Sequence, residues 1–479
     1  MLFNSLHFLI FLPIVFILYW FVVKNKLSLQ NILLLLSSYF FYACWDWRFL
    51  FLLIFSTVLD YFTGIRIGAA TKSGTKKFWF WTSIIVNLGF LGVFKYYNFF
   101  ATSLDDALSS IGIHIDVWLL NVILPVGISF YTFHGVSYVI DIYKERIKPE
   151  RNFIDYSVFV SFFPLLVAGP IERATHLLPQ IKKPRIFDSA KAVDGLRQIL
   201  WGLVKKVVIA DQCAEVVNLV YGASGDFNGI THLIAAIFFS FQIYCDFSGY
   251  SDIALGVARL FGIELLKNFS YPYFSRDIAE FWRKWHISLS SWFRDYLYFP
   301  LGGSVGGTWM KIRNTLIIFL VSGFWHGANW TFIVWGLLNA LFILPSIVFK
   351  SNRKNLDIVA EGKRLPSWIE FFSMLLTFML STIAWIFFRS KTLGEAFDYL
   401  GAMCSHTMFS MPQITPIFLS ILIIFFVLIE WRGRRDNFAL QAMGLKWPKA
   451  IRWSFYLFLV MLIGAHIQIV ETTFIYFQF

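Results

Sequence analysis

A histidine flanked by glycines lies in the middle of a long apolar stretch of this sequence. His326 belongs to the segment GFWHGANW, Gly323–Trp330, and Asn329 follows it by three residues. A histidine can act as a general base because its unperturbed pKa of about 6.5 leaves the imidazole mostly neutral at physiological pH. The glycines let backbone or substrate come close, and Trp325 and Trp330 can form walls. The spacing is equally compatible with a histidine that makes only a structural hydrogen bond.

A second histidine lies in an amphipathic segment, FWRKWHISLSSWFRDYLYFPLGG, at Phe281–Gly303. The segment carries too many charges for a helix surrounded by lipid, so one interpretation is a helix lying in the headgroup region. The alternative places His286 inside the protein, beside a basic cytoplasmic surface that could meet an anionic donor such as the phosphates of coenzyme A. The candidate site residues of this segment are Arg283, Lys284, Trp285, His286 and Arg294.

Two carboxylates and a tyrosine interrupt another apolar run, at YCDFSGYSD, Tyr244–Asp252. Polar groups at membrane depth are costly and tend to be functional, so Asp246, Tyr250 and Asp252 are candidates for the lining of a substrate passage. The pattern predicts that the helix ends or breaks here and opens its backbone to a cavity, as the helices of transporters do. The alternative is a structural kink whose carboxylates pair with nearby arginines.

The fourth interruption is LPVGISFYTFHG, Leu124–Gly135, which contains His134. Its proline and glycines predict a bent helix in which His134 has a packing role. The motif HExxH and the Walker glycine loop do not occur in the sequence. The four cysteines are scattered and give neither a disulfide framework nor a metal-binding spacing. The expected chemistry is therefore acid–base catalysis without a metal.

The composition indicates a membrane protein. Of the 479 residues, 58% are hydrophobic and 15% are charged, whereas a soluble protein carries about 25% charged residues to cover its surface. The mean hydropathy is +0.64. A lipid bilayer is therefore the expected environment, and at about 20 residues per crossing the apolar runs predict roughly ten to twelve spans. The net charge of +12 is assigned to loops and not to nucleic-acid binding.

Basic residues in alternating loops predict the orientation in the membrane. Over five consecutive connections, loops rich in lysine and arginine alternate with loops that contain few. Basic loops face the cytoplasm, so the N-terminus is expected outside. The apolar runs taken as crossings are His7–Val23, Asn31–Cys44, Phe49–Gly64, Phe78–Phe94, Val117–Ile142, Leu196–Ala210, Thr231–Ile243, Asn314–Phe349 as an out-and-back pair, Trp368–Phe388, Ile414–Glu430 and Trp453–Val470.

One short run does not fit this alternation. Tyr156–Gly169 ends in AGP, Ala168–Pro170, and has basic residues on both sides. It is therefore predicted to be a re-entrant or buried segment that does not cross. The most polar linker is Lys350–Pro366. Residues 1–479 are expected to form a single all-α integral membrane domain, with about ten to twelve transmembrane helices and additional re-entrant or interfacial helices.

These segments together resemble the bacterial branch of the membrane-bound O-acyltransferase family that acetylates polysaccharides. The likeness runs through nearly the whole chain, with the motifs in the same order. The sister branch that transfers D-alanine to teichoic acid shares the RWHISLS-type helix and the second histidine, but its members are usually shorter, and LYFPLGG here looks more like the acetylating branch. The segments that carry the resemblance are Ile123–Asp141, Ala168–Arg173, Asp246–Gly256, Phe281–Gly303, Gly323–Trp330 and Phe474–Phe479.

The resemblance implies a ring of tilted helices around a thinned centre, where a tunnel joins a cytoplasmic donor to an external acceptor. It also implies that His326 is the catalytic histidine and that His286 is a second polar residue of the tunnel. His326 would accept the proton of the acceptor hydroxyl, while His286 or Asn329 would orient the acyl group or help to hold the oxyanion. Asp246 and Asp252 would position the helices around the tunnel. The donor phosphates would meet Arg283, Lys284 and Arg294, for which a loop-charge role is equally compatible.

The expected activity is the transfer of an acetyl group from a cytoplasmic thioester to a hydroxyl of an extracellular polysaccharide. Acetyl-CoA is the expected donor, and no tightly bound cofactor is expected. An extracytoplasmic partner of the SGNH acetyltransferase type is expected to relay the acetyl group, and the expected location is the inner membrane of a bacterium. The alternatives are D-alanyl transfer to teichoic acid from a carrier protein and a transporter without enzymatic activity.

Overall fold

The computed structural model describes residues 1–121, 123–167, 169–468 and 474–475, and the regular structure of these residues is helical, without a strand. The all-α class predicted from the sequence is therefore confirmed. The helices are α1 Leu6–Ile17, α2 Leu27–Ala69, α3 Ser73–Leu91, α4 Tyr97–Ser109, α5 Ile128–Tyr143, α6 Phe153–Ser161, α7 Phe163–Leu166, α8 Ala174–Ile181, α9 Ser189–Leu203, α10 Asp211–Gly222, α11 Gly229–Leu260, α12 Ile278–Lys284, α13 Ile287–Phe293, α14 Gly307–His326, α15 Trp330–Val348, α16 Trp368–Arg389, α17 Leu393–Met403, α18 Ile417–Gly433 and α19 Lys449–His466. Wider π-helical turns occupy Leu18–Val22, Gly92–Tyr96, Val204–Ala210 and Arg294–Tyr298, and 3-10 turns occupy Ser224–Asp226, Pro272–Phe274 and His406–Phe409.

Membrane-spanning character is visible in the described helices. Five of them are long and apolar enough to cross a membrane by length and composition, and a shorter apolar helix runs over Leu6–Val22. The five are Leu27–Ala69, Ser73–Ser109, Gly229–Leu260, Trp330–Val348 and Trp368–Arg389. The predicted class of polytopic helical membrane protein is confirmed.

Helix α2 contains two of the predicted crossings. Asn31–Cys44 and Phe49–Gly64 lie on either side of Asp46, whose backbone is non-helical, with φ −157° and ψ 111°. The Asp46 carboxylate accepts hydrogen bonds from the guanidinium and the backbone N–H of Arg48. The break that the sequence predicted between the two runs is therefore a kink stabilised by a local ion pair.

The predicted crossing Val117–Ile142 is wrong in its first part. Residues 117–121 and 123–127 are not helical, and α5 begins only at Ile128. Pro125 cannot donate a backbone hydrogen bond, and Gly127 adopts the left-handed conformation with φ 73°, which glycine tolerates best. The bend predicted from these two residues is therefore the start of the helix.

By the contacts between its Cα atoms, the chain divides into two compact units, residues 1–192 with 257–266 and residues 193–256 with 267–479. In the first unit, α2 packs against α3, α5 and α6. Asp60 of α2 accepts hydrogen bonds from Ser83 at 2.6 Å and Asn87 at 2.8 Å. The short helices α6 and α7 are buried, as predicted for Tyr156–Gly169, while Ala168 of the AGP motif lies outside the described residues.

The second unit brings α9 and α11 into close contact through glycines. A Cβ on Gly202 would lie 2.6 Å from the carbonyl oxygen of Gly249, and one on Gly256 would lie 2.5 Å from that of Gly195. Small residues allow helix backbones to approach in this way. Helix α11 is continuous over Gly229–Leu260, so the break predicted at Tyr244–Asp252 is wrong, for an electrostatic reason given below.

Two further elements of the second unit position the histidines. The predicted out-and-back pair within Asn314–Phe349 is confirmed as α14 and α15, which pack together on either side of a three-residue turn, Gly327–Asn329. The predicted interfacial helix at Phe281–Gly303 is instead divided into α12, α13 and a π-helical turn, with a break at Trp285 and His286.

Candidate active site

His286 lies at the break between α12 and α13. Its backbone is left-handed, with φ 44° and ψ 55°, a conformation that is uncommon outside glycine and tends to occur where the surrounding structure fixes a functional residue. The ring is buried, at 1% exposure. It packs edge-to-face on Phe247 of α11, with ring centroids 4.6 Å apart.

A neighbouring loop fixes this break. The carbonyl oxygen of Asn268 accepts a hydrogen bond from Ile287 N at 2.8 Å, and its side-chain oxygen accepts one from the Ser288 hydroxyl at 2.6 Å. Ser270 N donates to the carbonyl oxygen of Lys284 at 3.0 Å. Because backbone groups on both sides of His286 are held, its left-handed conformation is imposed by the loop.

His326 is the last residue of α14, and the approach of α15 determines its position. A Cβ on Gly323 would overlap the carbonyl oxygen of Phe332, and the Cα of Gly336 would lie only 3.4 Å away. The two glycines therefore allow the helices of the hairpin to touch one turn before the histidine. The His326 ring is buried and packs on Trp335 and Phe388, with centroid distances of 5.0 and 5.4 Å.

The ring of Trp325 lies close to the rings of both histidines. Its ring lies 6.1 Å from that of His286 and 4.9 Å from that of His326, measured between centroids. Both nitrogens of His286 are buried and make no hydrogen bond to any described residue. Buried polar groups in proteins are nearly always hydrogen-bonded, and an exception needs an explanation. The lack of hydrogen bonds at this imidazole is explained if its nitrogens form hydrogen bonds with a substrate.

Further tryptophans complete an aromatic shell. Trp285 packs on Trp385 at 4.9 Å, Trp385 stacks on Trp335 at 5.6 Å, and Trp335 contacts Trp282 at 5.8 Å between centroids. The indole N–H groups of Trp282, Trp335 and Trp385 are buried and find no acceptor among the described residues. The shell therefore combines rigid apolar walls with unused hydrogen-bond donors close to the histidines.

A cavity of about 660 Å³ adjoins this shell. Trp282, Phe319 and Ser322 form part of its lining, and Ser322 lies one turn before His326 on α14. Trp282 is in contact with Trp335, which contacts His326. The cations in the lining are Arg283, Arg294, Lys311 and Arg353. The cavity can therefore take a ligand that has an anionic part and a second part directed towards the aromatic shell.

Comparison with known proteins places this site in a family. Residues 143–388 match the model of the membrane-bound O-acyltransferase family. The probable alginate O-acetylase of Azotobacter vinelandii is 37% identical over 94% of this chain and 88% of its own length. The chain belongs to the membrane-bound O-acyltransferase family. It is therefore an enzyme, an O-acyltransferase.

Two other relatives of this acyltransferase carry different names. The peptidoglycan O-acetyltransferase of Helicobacter pylori is 35% identical over 84% of this chain and 80% of its own length. The teichoic acid D-alanyltransferase of Bacillus subtilis is 28% identical over 57% of this chain and 70% of its own length. The O-acetylating relatives match the larger share of the chain, in agreement with the branch that the motifs indicate.

The three basic residues predicted to meet a donor have different surroundings in this acyltransferase. The guanidinium of Arg283 donates to the carbonyl oxygens of Asn352 and Asn355 at 2.8 and 2.7 Å, so it lines the cavity while holding the 350–366 linker. Arg294 lines the cavity and is exposed, with Asp295 at 2.9 Å. Lys284 is not in the lining; its ammonium pairs with Glu280 at 2.6 Å.

The linker has a second anchor. Arg276 donates to the Asp357 carboxylate at 3.0 Å, and this hydrogen bond holds the pKa of Asp357 below its ordinary value. Asn355 Nδ2 donates to Asp277 at 2.6 Å. These contacts place Arg353 of the linker at the cavity. This position could not be predicted from the sequence, in which the linker is recognisable only as a polar segment.

Asn329 has a capping role. Its side-chain oxygen accepts a hydrogen bond from Thr331 N at 3.0 Å, and its amide donates to the carbonyl oxygen of Lys391 at 2.8 Å. The oxygen caps the start of α15, as expected for an N-cap, and the amide nitrogen holds a residue that follows α16, so both ends of the side chain are occupied and a capping role is favoured over oxyanion binding. Trp330, expected as a wall, is 53% exposed, whereas Trp325 and Trp285 do lie in the shell.

The carboxylates of α11 are paired with lysines. The ammonium of Lys205 lies 2.5 Å from Asp252, and that of Lys206 lies 2.8 Å from Asp246 and 2.9 Å from Asp211. The lysines belong to the π-helical turn after α9. Because these ion pairs satisfy the carboxylates, α11 crosses the segment without breaking.

The same cluster includes the other predicted residues of this segment. Tyr250 is fully buried, with the Lys206 ammonium 5.6 Å from its ring and Phe474 at 4.7 Å. Ile475 N donates to Asp246 at 2.6 Å, so the start of the terminal motif Phe474–Phe479 packs here; residues 476–479 lie outside the described residues. The contacts favour the structural alternative, with lysines in place of the predicted arginines.

His134, in the first unit, has a packing role. Its Nε2 accepts a hydrogen bond from Glu172 N at 3.1 Å, and its Nδ1 lies 3.4 Å from the carbonyl oxygen of Val160. The ring is 1% exposed. Unlike His286, this histidine uses both ring nitrogens within the fold, which matches the sequence interpretation.

Proposed function

We propose that this chain transfers an acetyl group from a cytoplasmic thioester, acetyl-CoA, to a hydroxyl acceptor for O-acetylation of an extracellular polysaccharide. The observation that supports this most directly is the meeting of His286 and His326 at Trp325, within a buried aromatic shell next to a cavity with four cations in its lining. The names of the O-acetylating relatives favour a cell-envelope polysaccharide of the alginate or peptidoglycan kind.

The proposed reaction needs one base near the acceptor. The ring of His326 accepts the hydroxyl proton while the acceptor oxygen attacks the thioester carbonyl and forms the new C–O bond. The C–S bond then breaks, and the imidazolium returns its proton to the leaving thiolate, which departs as the free thiol. General acid–base help of this kind is worth typically about 10²–10⁴-fold in rate.

His286 would act on the acyl group. Its buried nitrogens, which make no hydrogen bond to the described residues, can orient the acyl carbonyl or donate to the oxyanion that forms on it. The loss of one oxyanion donor typically costs about 10²–10³-fold in rate. The tryptophan walls exclude water, which would otherwise compete with the acceptor for the acyl group.

The cavity would hold the donor. Lys311 and Arg353 make no ion pair with any described residue, so their charges are available to phosphates, and Arg294 adds a third, exposed cation. The thioester end would lie towards Trp282 and the shell. In a bacterial inner membrane, a passage past the histidines would open towards an extracytoplasmic acceptor, either the polysaccharide or an SGNH-type partner that relays the acetyl group.

The proposal is tested with purified protein, labelled acetyl-CoA and a hydroxyl acceptor. His326→Ala is expected to lower acetyl transfer by roughly 10²–10⁴-fold, and His326→Gln tests the same point with a side chain of similar size. His466→Ala is the matched control, because this ring lies at the end of α19 and stacks on Phe418. Elution as a single folded species in detergent separates loss of chemistry from misfolding.

Two outcomes would contradict this assignment. Transfer at the normal rate by folded His326→Ala and His326→Gln would exclude His326 as the base. A product formed only from an aminoacyl thioester on a carrier protein, and not from acetyl-CoA, would move the chain to the D-alanylating function that the Bacillus subtilis relative is named for.

A further inference from the structure

A second, smaller cavity in the 193–256 and 267–479 unit has an unusual lining. Its volume is about 140 Å³, and seven aromatic residues, Val427 and Glu430 surround it. The aromatic residues are Phe241, Tyr244, Tyr271, Tyr273, Phe274, Phe378 and Phe426. None of them has a place in the proposed acyl transfer.

Several pairs of these rings have planes that are nearly perpendicular to each other. Tyr273 and Phe378 have centroids 5.0 Å apart and planes at 86°, Phe241 and Phe426 are 6.3 Å apart at 90°, and Phe241 and Tyr273 are 5.9 Å apart at 71°. Because the rings lie in different planes, ring faces and ring edges border the cavity on several sides. Such cages bind alkylammonium groups, because the ring faces attract a cation that they also shield from water.

A buried carboxylate lies in the lining of this cage. Glu430 is 3% exposed and accepts hydrogen bonds from Trp201 Nε1 at 2.9 Å and from the Tyr244 hydroxyl at 2.7 Å. Both donors are neutral, and Glu430 forms no ion pair with the residues that the structure describes. The nearby Lys205 is already paired with Asp252.

The lysines of the neighbouring π-helical turn pair with carboxylates other than Glu430. Lys205 and Lys206 face four carboxylates of the same buried region: Asp211, Asp246, Asp252 and Glu430. The hydroxyl of Tyr271, a lining residue that is 6% exposed, has no hydrogen-bond partner among the described residues. A cation in the cage would give Glu430 the ion pair that it does not form with the described residues.

We propose that this cage binds the ammonium headgroup of a membrane lipid, with the rings forming the walls and Glu430 supplying the countercharge. A lipid is the source because Phe241 and Phe378 belong to Gly229–Leu260 and Trp368–Arg389, two of the helices that can cross a membrane. Amine headgroups of a surrounding bilayer are therefore cations that these helices would meet.

Two walls of the cage contact the aromatic shell. The rings of Tyr244 and Tyr273 each lie 6.0 Å from Trp285, which precedes His286. A bound headgroup would restrict the motion of Tyr244 and Tyr273, and thereby that of Trp285 beside His286. The site is distinct from the 660 Å³ cavity, with which it shares no lining residue, so its test does not depend on the acyl-transfer proposal.

The test compares choline with 3,3-dimethylbutan-1-ol, its neutral analogue of nearly the same shape. Saturation-transfer NMR detects the methyl groups of either compound on the full-length protein in nanodiscs of phosphatidylglycerol, which carries no amine. Choline is expected to bind and the neutral analogue to bind far more weakly. Replacing phosphatidylglycerol by phosphatidylethanolamine is expected to reduce the choline signal, because the lipid amine would occupy the cage.

Two variants test the walls and the charge separately. Phe378→Leu removes one ring face and is expected to weaken choline binding by roughly 2- to 30-fold, the effect of losing one cation–π contact. Glu430→Gln removes the countercharge and is also expected to weaken choline binding. Phe425→Leu is the matched control, because this ring is next to Phe426 in the chain but packs on Phe458. It is expected to bind choline like the unaltered protein.

Three results would overturn the proposal. Equal binding of choline and its neutral analogue would make the cavity an apolar site. Unchanged choline binding by Phe378→Leu and Glu430→Gln would place choline elsewhere. A choline signal that phosphatidylethanolamine does not reduce would show that lipid amines do not reach the cage.

Discussion

The contact between α14 and α15 predicts that one methyl group at Gly323 will slow acyl transfer. A Cβ on Gly323 would overlap the Phe332 carbonyl oxygen and come within 3.1 Å of the carbonyl carbon. Because ordinary Cβ contacts begin near 3.4 Å, the helices would have to separate by roughly 1 Å, and a displacement of that size near a reacting group can cost about 10²-fold in rate. His326 follows by less than one turn, so it would move with its helix.

The effect on stability should be smaller than the effect on rate. Overpacking typically costs about 1–3 kcal/mol, and the better helix propensity of alanine returns about 0.5–1 kcal/mol. Gly323→Ala should therefore insert and fold while turnover falls. Gly401→Ala is the matched control, since Gly401 is also helical and a Cβ there would have nothing within 4 Å.

The assay is steady-state acetyl transfer to a hydroxyl acceptor, alongside the thermal midpoint of the same preparations. Gly323→Ala is expected to lower kcat by about 10²-fold, and Gly401→Ala to leave both quantities near those of the unaltered enzyme. Wild-type kcat in Gly323→Ala would refute the reasoning, because it would mean that the position of His326 does not depend on the hairpin contact. Equal loss in both variants would refute it as well.

Four other substitutions separate donor binding, capping and charge pairing. Arg353→Ala and Lys311→Ala are each expected to raise the KM for acetyl-CoA by roughly two- to fivefold at low salt with kcat retained, since an exposed charge pair is worth up to about 1 kcal/mol; an unchanged KM in both would remove the donor from this cavity. Asn329→Ala is expected to lower the free energy of unfolding by about 0.5–2 kcal/mol through loss of the α15 cap, with the rate per folded molecule nearly unchanged; a large loss of rate without loss of stability would instead restore Asn329 as an oxyanion donor. Lys206→Met removes the ammonium that pairs with Asp246 and Asp211 and is expected to destabilise by about 3–5 kcal/mol, measured as a lower thermal midpoint in detergent; an unchanged midpoint would mean that these ion pairs contribute nothing to the fold.

The sequence was most informative where polar residues or glycines interrupted apolar runs. His326 between glycines, His286 in an amphipathic segment, and the out-and-back pair around His326 could all be recognised without coordinates. Each feature is local, since its residues lie within a few positions of one another. Local patterns reflect backbone conformation and burial, which is why they predicted the helix class and the burial of His326.

Features that depend on contacts between distant segments could not be predicted. Trp385 and Phe388 belong to α16 and form part of the aromatic surroundings of the histidines. Nothing in their own segment distinguishes them from ordinary apolar residues. In the sequence, Lys205 and Lys206 are two charged residues within a predicted crossing. In the structure they pair with Asp252 and Asp246 of α11. Periodicity does not report such pairings, so the sequence predicted a break where ion pairs preserve a helix.

The comparison of the buried polar residues gives a physical criterion for function at membrane depth. Asp246 and Asp252 meet lysines, and His134 bonds to backbone groups through one ring nitrogen and approaches a carbonyl with the other. Burial without a partner costs free energy, so these residues gain their stability from the fold and have little capacity left for a ligand. His286 makes no such bonds to the described residues, and its left-handed backbone adds strain. We therefore expect His286, and not Asn329, to act on the acyl carbonyl.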